Sequence, residues 1–584
     1  MKKILLSVLF FVTGEKKVSF KTLLADLISG LTVAVIAIPQ AIAYAFIAGV
    51  RPIYGLFSMF IPSIISAIFG SSKHLHTGPT NATSILVFSA IFSLSGNGQI
   101  LEKIFLIAVL SGLIRIFMGL MKMGNFLNFV SVPVLVGFVS GAGTLIAGNQ
   151  LKNLCGIEIP NQLYFYDTIF MLFRNIEETN IYTFLIGLFS VFMIVGIRKI
   201  NKKIPGIFFS ILFSSILVAL LGLENYGVAT VGEIPHGFPA FSFYKFSLKD
   251  IRETFFVAAA IAILGSIEAL SISKTIASRS GQELSYNREL IAQGISNISS
   301  GFFQGIPISG SFSRSMINFN SKGVSKLSLI FSGIFVGIFL MFFTTILRFI
   351  PIASLSGVLI VVAWNMISKR QIKIIFSSSR SDIAVFLITL ISCLFLKIEY
   401  AVFVGVILSF VVIINYISVP RILEVVPSPF SRKLLAVSRT KHSTCPQITI
   451  FEMFGEFFFG SIQEIGEKIK TLTRKKPKVI IFRFKGIDHI DASGLIFLRK
   501  IIRNASKKGI SFILRGTRSK LKKELEKSGV LEILGKDNFV YNTEQALKRS
   551  YEIIDKERCR KCKLRVFKEC DRIRSKEDEI VAGS

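Results

Sequence analysis

"GIPISGSFSRSMINF", Gly305 to Phe319, places serines and an arginine behind a Pro-Ile-Ser-Gly turn in a chain whose neighbouring stretches are apolar. In a soluble protein this would be a surface loop. The rest of the chain points elsewhere. Hydrophobic residues make up 51% of 584 positions and the mean hydropathy is +0.62, against roughly 45 to 50% apolar residues, glycine included, in soluble domains. A net charge of +32 would suit a nucleic-acid binder. Uncharged runs such as Phe331 to Leu347, however, have no aqueous partner. The composition therefore implies a membrane protein and no nucleic-acid partner.

The composition changes near Pro420. Upstream, apolar stretches recur with short breaks. Downstream, charged residues alternate with strand-like runs such as "KVIIFRF". The expected organisation is a cytoplasmic N-terminal segment (1–24), a transmembrane domain (25–425), a cytoplasmic α/β domain (445–550) and a basic, Cys-containing tail (551–584). Seven apolar segments fall near 25–48, 53–70, 82–94, 104–121, 126–148, 180–197 and 205–222. Seven more fall near 252–274, 287–304, 311–320, 327–349, 353–367, 382–397 and 399–417. Most approach the roughly 20 residues that cross a bilayer, but 82–94 and 311–320 do not. These two are the third of their sets, and paired short, Gly/Pro-interrupted segments mark a transporter of inverted repeats with its site at the midplane. The fold expected is an α-helical polytopic membrane protein, fourteen segments in two inverted seven-segment repeats (25–222 and 251–417), followed by an α/β domain.

"IRKINKK" (197–203), "KTIASRSGQELSYNRE" (274–289) and "SKRQIKIIFSSSR" (368–380) are basic, whereas 151–178 is mixed. The positive-inside rule puts the basic side, both termini included, in the cytoplasm. The opening "MKKILLSVLFFVTG" has the lysines and short apolar run of a signal peptide without an A-x-A site after it, so an interfacial lead-in is expected.

Ionisable residues at membrane depth are costly and usually functional. Glu268, Arg314 and Arg115 qualify. Glu268 is either a protonatable coupling group or half of a structural ion pair with Arg314. Arg115 reads as a snorkelling or locally paired side chain. The short segments add another source of charge, because each helix N-terminus at the midplane carries about +0.5 elementary charge. "GPT" (78–80) and "ISGS" (308–311) suit such starts, with Pro in a first turn, Ser or Thr as cap, and Pro307 closing the preceding helix.

"PQAIAYAFIAGVRPIYGLFS" (39–58) resembles the signature of the sulfate permease (SulP) family of anion transporters. "FGSSKHLHTGPTNATS", "PVLVGFVSGAG" and "NRELIAQGISNISSGFFQGIPISGSFSRSMIN" extend the resemblance through both halves. "ITIFEMFGEFFFGS" and "IDHIDASGLIFL" resemble the STAS domain of that family. The resemblance implies a core domain moving against a gate domain in an elevator mechanism, and a homodimer. It implies an anion site between the third and tenth segments, at Thr80, Gly310, Ser311 and Phe312, lined by Gln40 and Tyr44. Arg314 matches the basic residue near that site, and Glu268 the acid used by proton-coupled members. Two helix ends plus Arg314 supply roughly +2, enough for a dianion, and an ionised Glu268 would spoil the balance. Proton uptake with substrate is the expected consequence.

Ser493 in "DASG" (491–494) sits at a strand-to-helix turn, either as a regulatory phosphosite or, with Asp491, as a helix cap. Asp488, His489, Asp491 and Ser493 share one short turn, too tight for a hydrolase triad. The tail's "CRKCKLRVFKEC" has three thiols that could hold a metal only with a fourth ligand from elsewhere, so a basic, partly disordered tail without metal is expected. With no nucleotide loop and no convincing metal constellation, no enzyme and no cofactor are expected. The function expected is secondary transport of an inorganic anion, sulfate with a coupling proton. Sodium-coupled bicarbonate and proton-coupled C4-dicarboxylate transport are the rivals, with an anion sensor signalling through the STAS domain as the alternative of another class. The partners expected are the anion, the proton, the lipid bilayer, a second copy of the chain and a cytoplasmic regulatory protein on the STAS domain.

Overall fold

The computed structural model describes residues 19–94, 100–124, 130–159, 165–201, 206–232, 237–244, 246–427, 434–437, 444–473, 476–487, 490–516, 519–564, 566–567 and 570. The lead-in expected from the opening residues 1–14, residues 202–203 of the first basic loop, Asp488 and His489, and the end of the tail from 571 lie outside the described residues. The chain divides into two compact units, one ending at Phe410 and one beginning at Val411.

In the first unit, α1 (Phe20–Ile47) starts five residues before the expected boundary, because Ser19 and Thr22 form a reciprocal capping box there. The segment expected at 53–70 is two helices, α2 (Pro52–Met59) and α3 (Ile61–Phe69), broken at Phe60 just before Pro62, which has no N–H for the helical ladder. A two-residue strand, β1 (Thr77–Gly78), precedes the short α4 (Asn81–Leu94). There follow α5 (Ile100–Leu120), α6 (Val132–Cys155), α7 (Phe165–Arg174), α8 (Ile181–Ile200) and α9 (Gly206–Leu221). The second half holds α10 (Leu248–Ser280), α11 (Tyr286–Phe302), β2 (Ser309–Gly310), α12 (Phe312–Asn320), α13 (Leu327–Phe342), α14 (Ile352–Met366), α15 (Lys369–Phe376), α16 (Arg380–Phe395) and α17 (Ile398–Ser418).

Among the described residues, eight helical stretches are long and apolar enough to cross a membrane. Their outer faces carry exposed side chains such as Phe117, Phe192, Phe256 and Ile407, which require lipid. Trp364 is exposed with the Lys369 ammonium 5.1 Å from its ring centre, a pairing suited to the headgroup layer. The chain is thus a helical polytopic membrane protein.

Two expectations are corrected. The stretch 368–380, read as a basic loop, contains α15, capped by the Ser368 hydroxyl. The helix before the opening motif ends at Phe302 and not at Pro307. Gln304 takes a left-handed φ of 58°. The extended residues after it are held by side chains: Ser58 Oγ accepts from the Ile306 N–H at 2.7 Å, and Ser300 Oγ donates to the Ile306 carbonyl at 2.7 Å.

One set of helices packs around α5 and α1, with α11 and α10 against α5 and α13 against α1; another packs around α6 and α14. The α5–α11 contact is backbone to backbone. A Cβ on Gly112 would stand 2.5 Å from the Gly294 carbonyl oxygen, and one on Gly294 2.6 Å from that of Gly112. Small residues allow this approach, which substitutes van der Waals contact for the hydrophobic drive that lipid does not provide.

The second unit is an α/β domain. Its strands are β3 (Arg421–Pro427), β4 (Leu434–Ala436), β5 (Ile448–Phe454), β6 (Val479–Gly486), β7 (Ser511–Arg515) and β8 (Phe539–Val540), ordered β4-β3-β5-β6-β7-β8. From β5 onward the pairing is parallel, while β3 joins antiparallel, so the sheet takes in residues upstream of 445. Alternation sends Ile480, Phe482 and Phe484 to one face, with Leu498 and Ile502 of α18 (Ala492–Lys507). Val479, Ile481 and Ile513 go to the other, with Ala546 and Leu547 of α19 (Thr543–Ile553). Glu452 and Arg483, directly opposite across β5 and β6, form a buried ion pair at 3.2 Å.

Candidate functional site

The two short helices are brought together by backbone. β1 and β2 pair antiparallel, Thr77 opposite Gly310 and Gly78 opposite Ser309. The Ser311 N–H continues the ladder to the His76 carbonyl at 2.9 Å, and the His76 N–H donates to Ser315 Oγ at 2.8 Å. Each chain leaves this minimal sheet and enters a helix at once: α4 after Thr80 and α12 after Ser311. The unbonded N–H groups of both first turns therefore open next to one another.

The caps differ. Thr80 and Thr83 bond reciprocally, with the Thr83 N–H reaching Thr80 Oγ1 at 3.4 Å and the Thr80 N–H reaching Thr83 Oγ1 at 3.1 Å. Pro79, expected in the first turn, lies ahead of the helix. Ser311 is the N-cap residue of α12, but its side chain makes no cap bond and lies 3.4 Å from Ser313 Oγ. The expected capping thus holds for Thr80 and fails for the Ser311 hydroxyl, which leaves the α12 N–H groups uncapped by their own serine.

Strand β2 is positioned from behind. The Asn297 side-chain amide pairs with Ile308 like a strand neighbour, Oδ1 accepting from its N–H at 2.9 Å and Nδ2 donating to its carbonyl at 3.1 Å. Arg115 donates to the same carbonyl at 2.9 Å and to that of Ile261 at 3.0 Å. It is fully buried, so the snorkelling reading is overturned and the local-pairing one holds. On the β1 side, Gln293 Nε2 donates to Thr77 Oγ1 at 2.7 Å.

Arg314, on the first turn of α12, is fully buried and crosses to the other half of the chain. Its Nη2 donates to the Pro79 carbonyl at 2.9 Å, Nη1 to Gln40 Oε1 at 3.4 Å and Nε to His76 Nδ1 at 3.3 Å. Its guanidinium carbon lies 5.9 Å from the Tyr44 ring centre. Because arginine only donates, His76 Nδ1 must accept, so its proton is on Nε2, aimed at Ser332 Oγ 3.0 Å away. These partners are neutral, and the ion pair with Glu268 considered from sequence does not form. Glu268 Oε2 instead accepts from Thr80 Oγ1 at 3.3 Å, at the mouth of α4.

Gln40, Tyr44, Thr80, Gly310, Ser311, Phe312, Arg314 and Glu268 thus converge on one junction; Phe312 is half exposed there at 52% while Gly310 and Ser311 are buried. Ser493 lies elsewhere, exposed on the first turn of α18. That helix is capped by Asp491, which accepts from the Gly494 N–H at 2.7 Å and the Phe459 N–H at 3.0 Å. Sequence reading missed His76, Asn297 and Gln293 as supports. The alternation of "HLHT" before a Gly-Pro break was the available signal for His76.

The model of the sulfate permease family matches residues 23–389, and that of the STAS domain matches 440–547. The sulfate transporter 4.1, chloroplastic, of Arabidopsis thaliana is 26% identical over 89% of this chain and 79% of its own. The sodium-independent sulfate anion transporter of Bos taurus is 25% identical over 84% and 83%. Among solved structures, the murine Solute Carrier 26 family member A9 anion transporter in the inward-facing state superposes with a TM-score of 0.86, at 21% identity over 94% of each chain. The transmembrane domain of a cyanobacterium bicarbonate transporter, BicA, gives a TM-score of 0.59 at 25% identity, over 67% of this chain and 98% of its own. Two facing half-helices under one family model, with a STAS domain after them, lead to one conclusion: the chain belongs to the sulfate permease family of membrane transporters.

Proposed function

We propose that the chain is a secondary active transporter of inorganic anions, carrying sulfate by proton symport through an elevator-type movement of a core domain against a gate domain. The observation that carries this reading is the β1–β2 pairing, which sets the N-termini of α4 and α12 side by side with Arg314 between them. The helix ends contribute about +1 and Arg314, itself fully buried, another +1. Relatives named as sulfate transporters support a divalent oxyanion as the cargo.

Charge counting alone does not carry the proton. Arg115 brings a further buried positive charge that the sequence balance omitted. Competition for a helix end carries it: Glu268 already uses the Thr80 mouth of α4 as an acceptor. A dianion seated on the same positive end meets a carboxylate with the same preference. Protonation of Glu268 removes the conflict, so proton and anion move together.

The basic stretches support a cytoplasmic position for both termini and the STAS domain, in a protein that spans the plasma membrane in fourteen segments of two inverted repeats. A homodimer and a cytoplasmic regulatory partner, with Ser493 as its phosphosite, complete the proposal. A second reading, bicarbonate transport, is favoured by the likeness to the BicA transmembrane domain. Radiolabelled sulfate uptake into proteoliposomes under an inward proton gradient tests the assignment. Accumulation inhibited by unlabelled sulfate supports it. Displacement by bicarbonate but not sulfate transfers it to the second reading, and binding without accumulation makes the protein a sensor.

A further inference from the structure

The second unit gathers four cysteines from three separate stretches. Cys559 and Cys562 lie in and after α20 (Lys556–Arg560), Cys570 follows Phe567, and Cys445 precedes β5. Cys445, Cys559 and Cys570 all pack against the same apolar face of the sheet, beside Val425, Ile448 and Phe567. All are free thiols.

A buried clamp fixes this meeting. Gln447, 1% exposed, accepts from the Asp555 N–H at 3.0 Å and donates to the Asp555 carbonyl at 2.9 Å. The same Nε2 donates to Cys559 Sγ at 3.3 Å. The tail is therefore tied to the residue two places after Cys445. Cys570 lies 4.0 Å from the Tyr551 hydroxyl.

We propose that Cys445, Cys559, Cys562 and Cys570 form a four-thiolate site for a zinc ion that fastens the tail to the STAS sheet. Cys445 supplies the fourth ligand that the tail's Cys-x2-Cys and Cys570 lack, and four thiolates in tetrahedral array are the usual structural zinc set. Among the described residues no three His, Cys, Asp or Glu side chains already stand ready to hold a metal. Closure requires movement of the Cys559–Cys562 turn, which runs off the end of a five-residue helix with no buried side chain.

A zinc tetrathiolate carries a net −2, and the exposed Arg558, Lys561 and Lys563 offset it.

The test uses the full chain in detergent, purified on a tag without histidines, with zinc measured by plasma mass spectrometry. The expected result is about one zinc per chain, released by a mercurial reagent. Cys445→Ser should weaken zinc binding by roughly tenfold or more in competition with a chromophoric chelator, and Cys155→Ser should leave it unchanged. Zinc added to the stripped wild-type protein should slow amide hydrogen exchange across 556–570, a readout independent of whether a variant folds. No retained zinc and no exchange protection would overturn the proposal. So would unaltered zinc affinity in Cys445→Ser, bound iron with sulfide, or a disulfide among the four cysteines.

Discussion

Replacing Arg314 separates charge from scaffolding. Its guanidinium donates to Gln40 of α1 and to His76 and Pro79, which flank β1. It also supplies about half of the roughly +2 that the helix ends and Arg314 offer an anion. A charge-assisted hydrogen bond is worth about 1.5 to 3 kcal/mol. At about 1.4 kcal/mol per tenfold, Arg314→Ala should weaken sulfate binding by roughly 10- to 100-fold. Arg314→Lys keeps the charge, but one ammonium cannot reach three acceptors in the fork geometry, so its affinity should fall between the two. The assay is thermal unfolding in detergent across a sulfate series, where stabilisation follows RT ln(1 + [L]/Kd). Both variants should also melt earlier than wild type without sulfate. An Arg314→Ala protein with reduced stability but an unchanged sulfate-dependent shift would refute a role for this residue in binding.

Gly112→Val, which drives a side chain into the Gly294 carbonyl, should cost about 1 to 3 kcal/mol and lower the melting temperature. Arg115→Met removes two charge-assisted bonds from behind β2 and should cost roughly 2 to 4 kcal/mol, read by the same melting experiment. In the STAS domain, Asp491→Ala removes the cap of α18 and its tie to the Phe459 N–H, at about 1 kcal/mol. Faster hydrogen exchange at Gly494, with unchanged exchange in β6, would register it.

The site residues with charge or a turn signature were legible in the sequence. Glu268 and Arg314 stood out because ionisable groups are rare in apolar runs, and the two short segments because Gly and Pro interrupt them. The pairing of Thr77–Gly78 with Ser309–Gly310 was not legible: it is made of backbone bonds between distant halves and leaves no side-chain pattern. Arg115 could not be placed because its role depends on which neighbour faces α5. Pro307 marked a break, but the helix had already ended at Phe302, where left-handed Gln304 and the serine bonds to Ile306 take over. The STAS sheet was visible as alternation in "KVIIFRF", whereas Cys445 drew no attention, since only the fold carries it to the tail.

The most direct test of the central claim compares wild type with Glu268→Gln in proteoliposomes, measuring both sulfate accumulation under a proton gradient and exchange of internal for external sulfate without one. The neutral amide keeps the acceptor toward Thr80 but cannot carry a proton. Coupling through Glu268 predicts loss of gradient-driven accumulation with exchange retained. Accumulation that still follows the proton gradient in Glu268→Gln would contradict it.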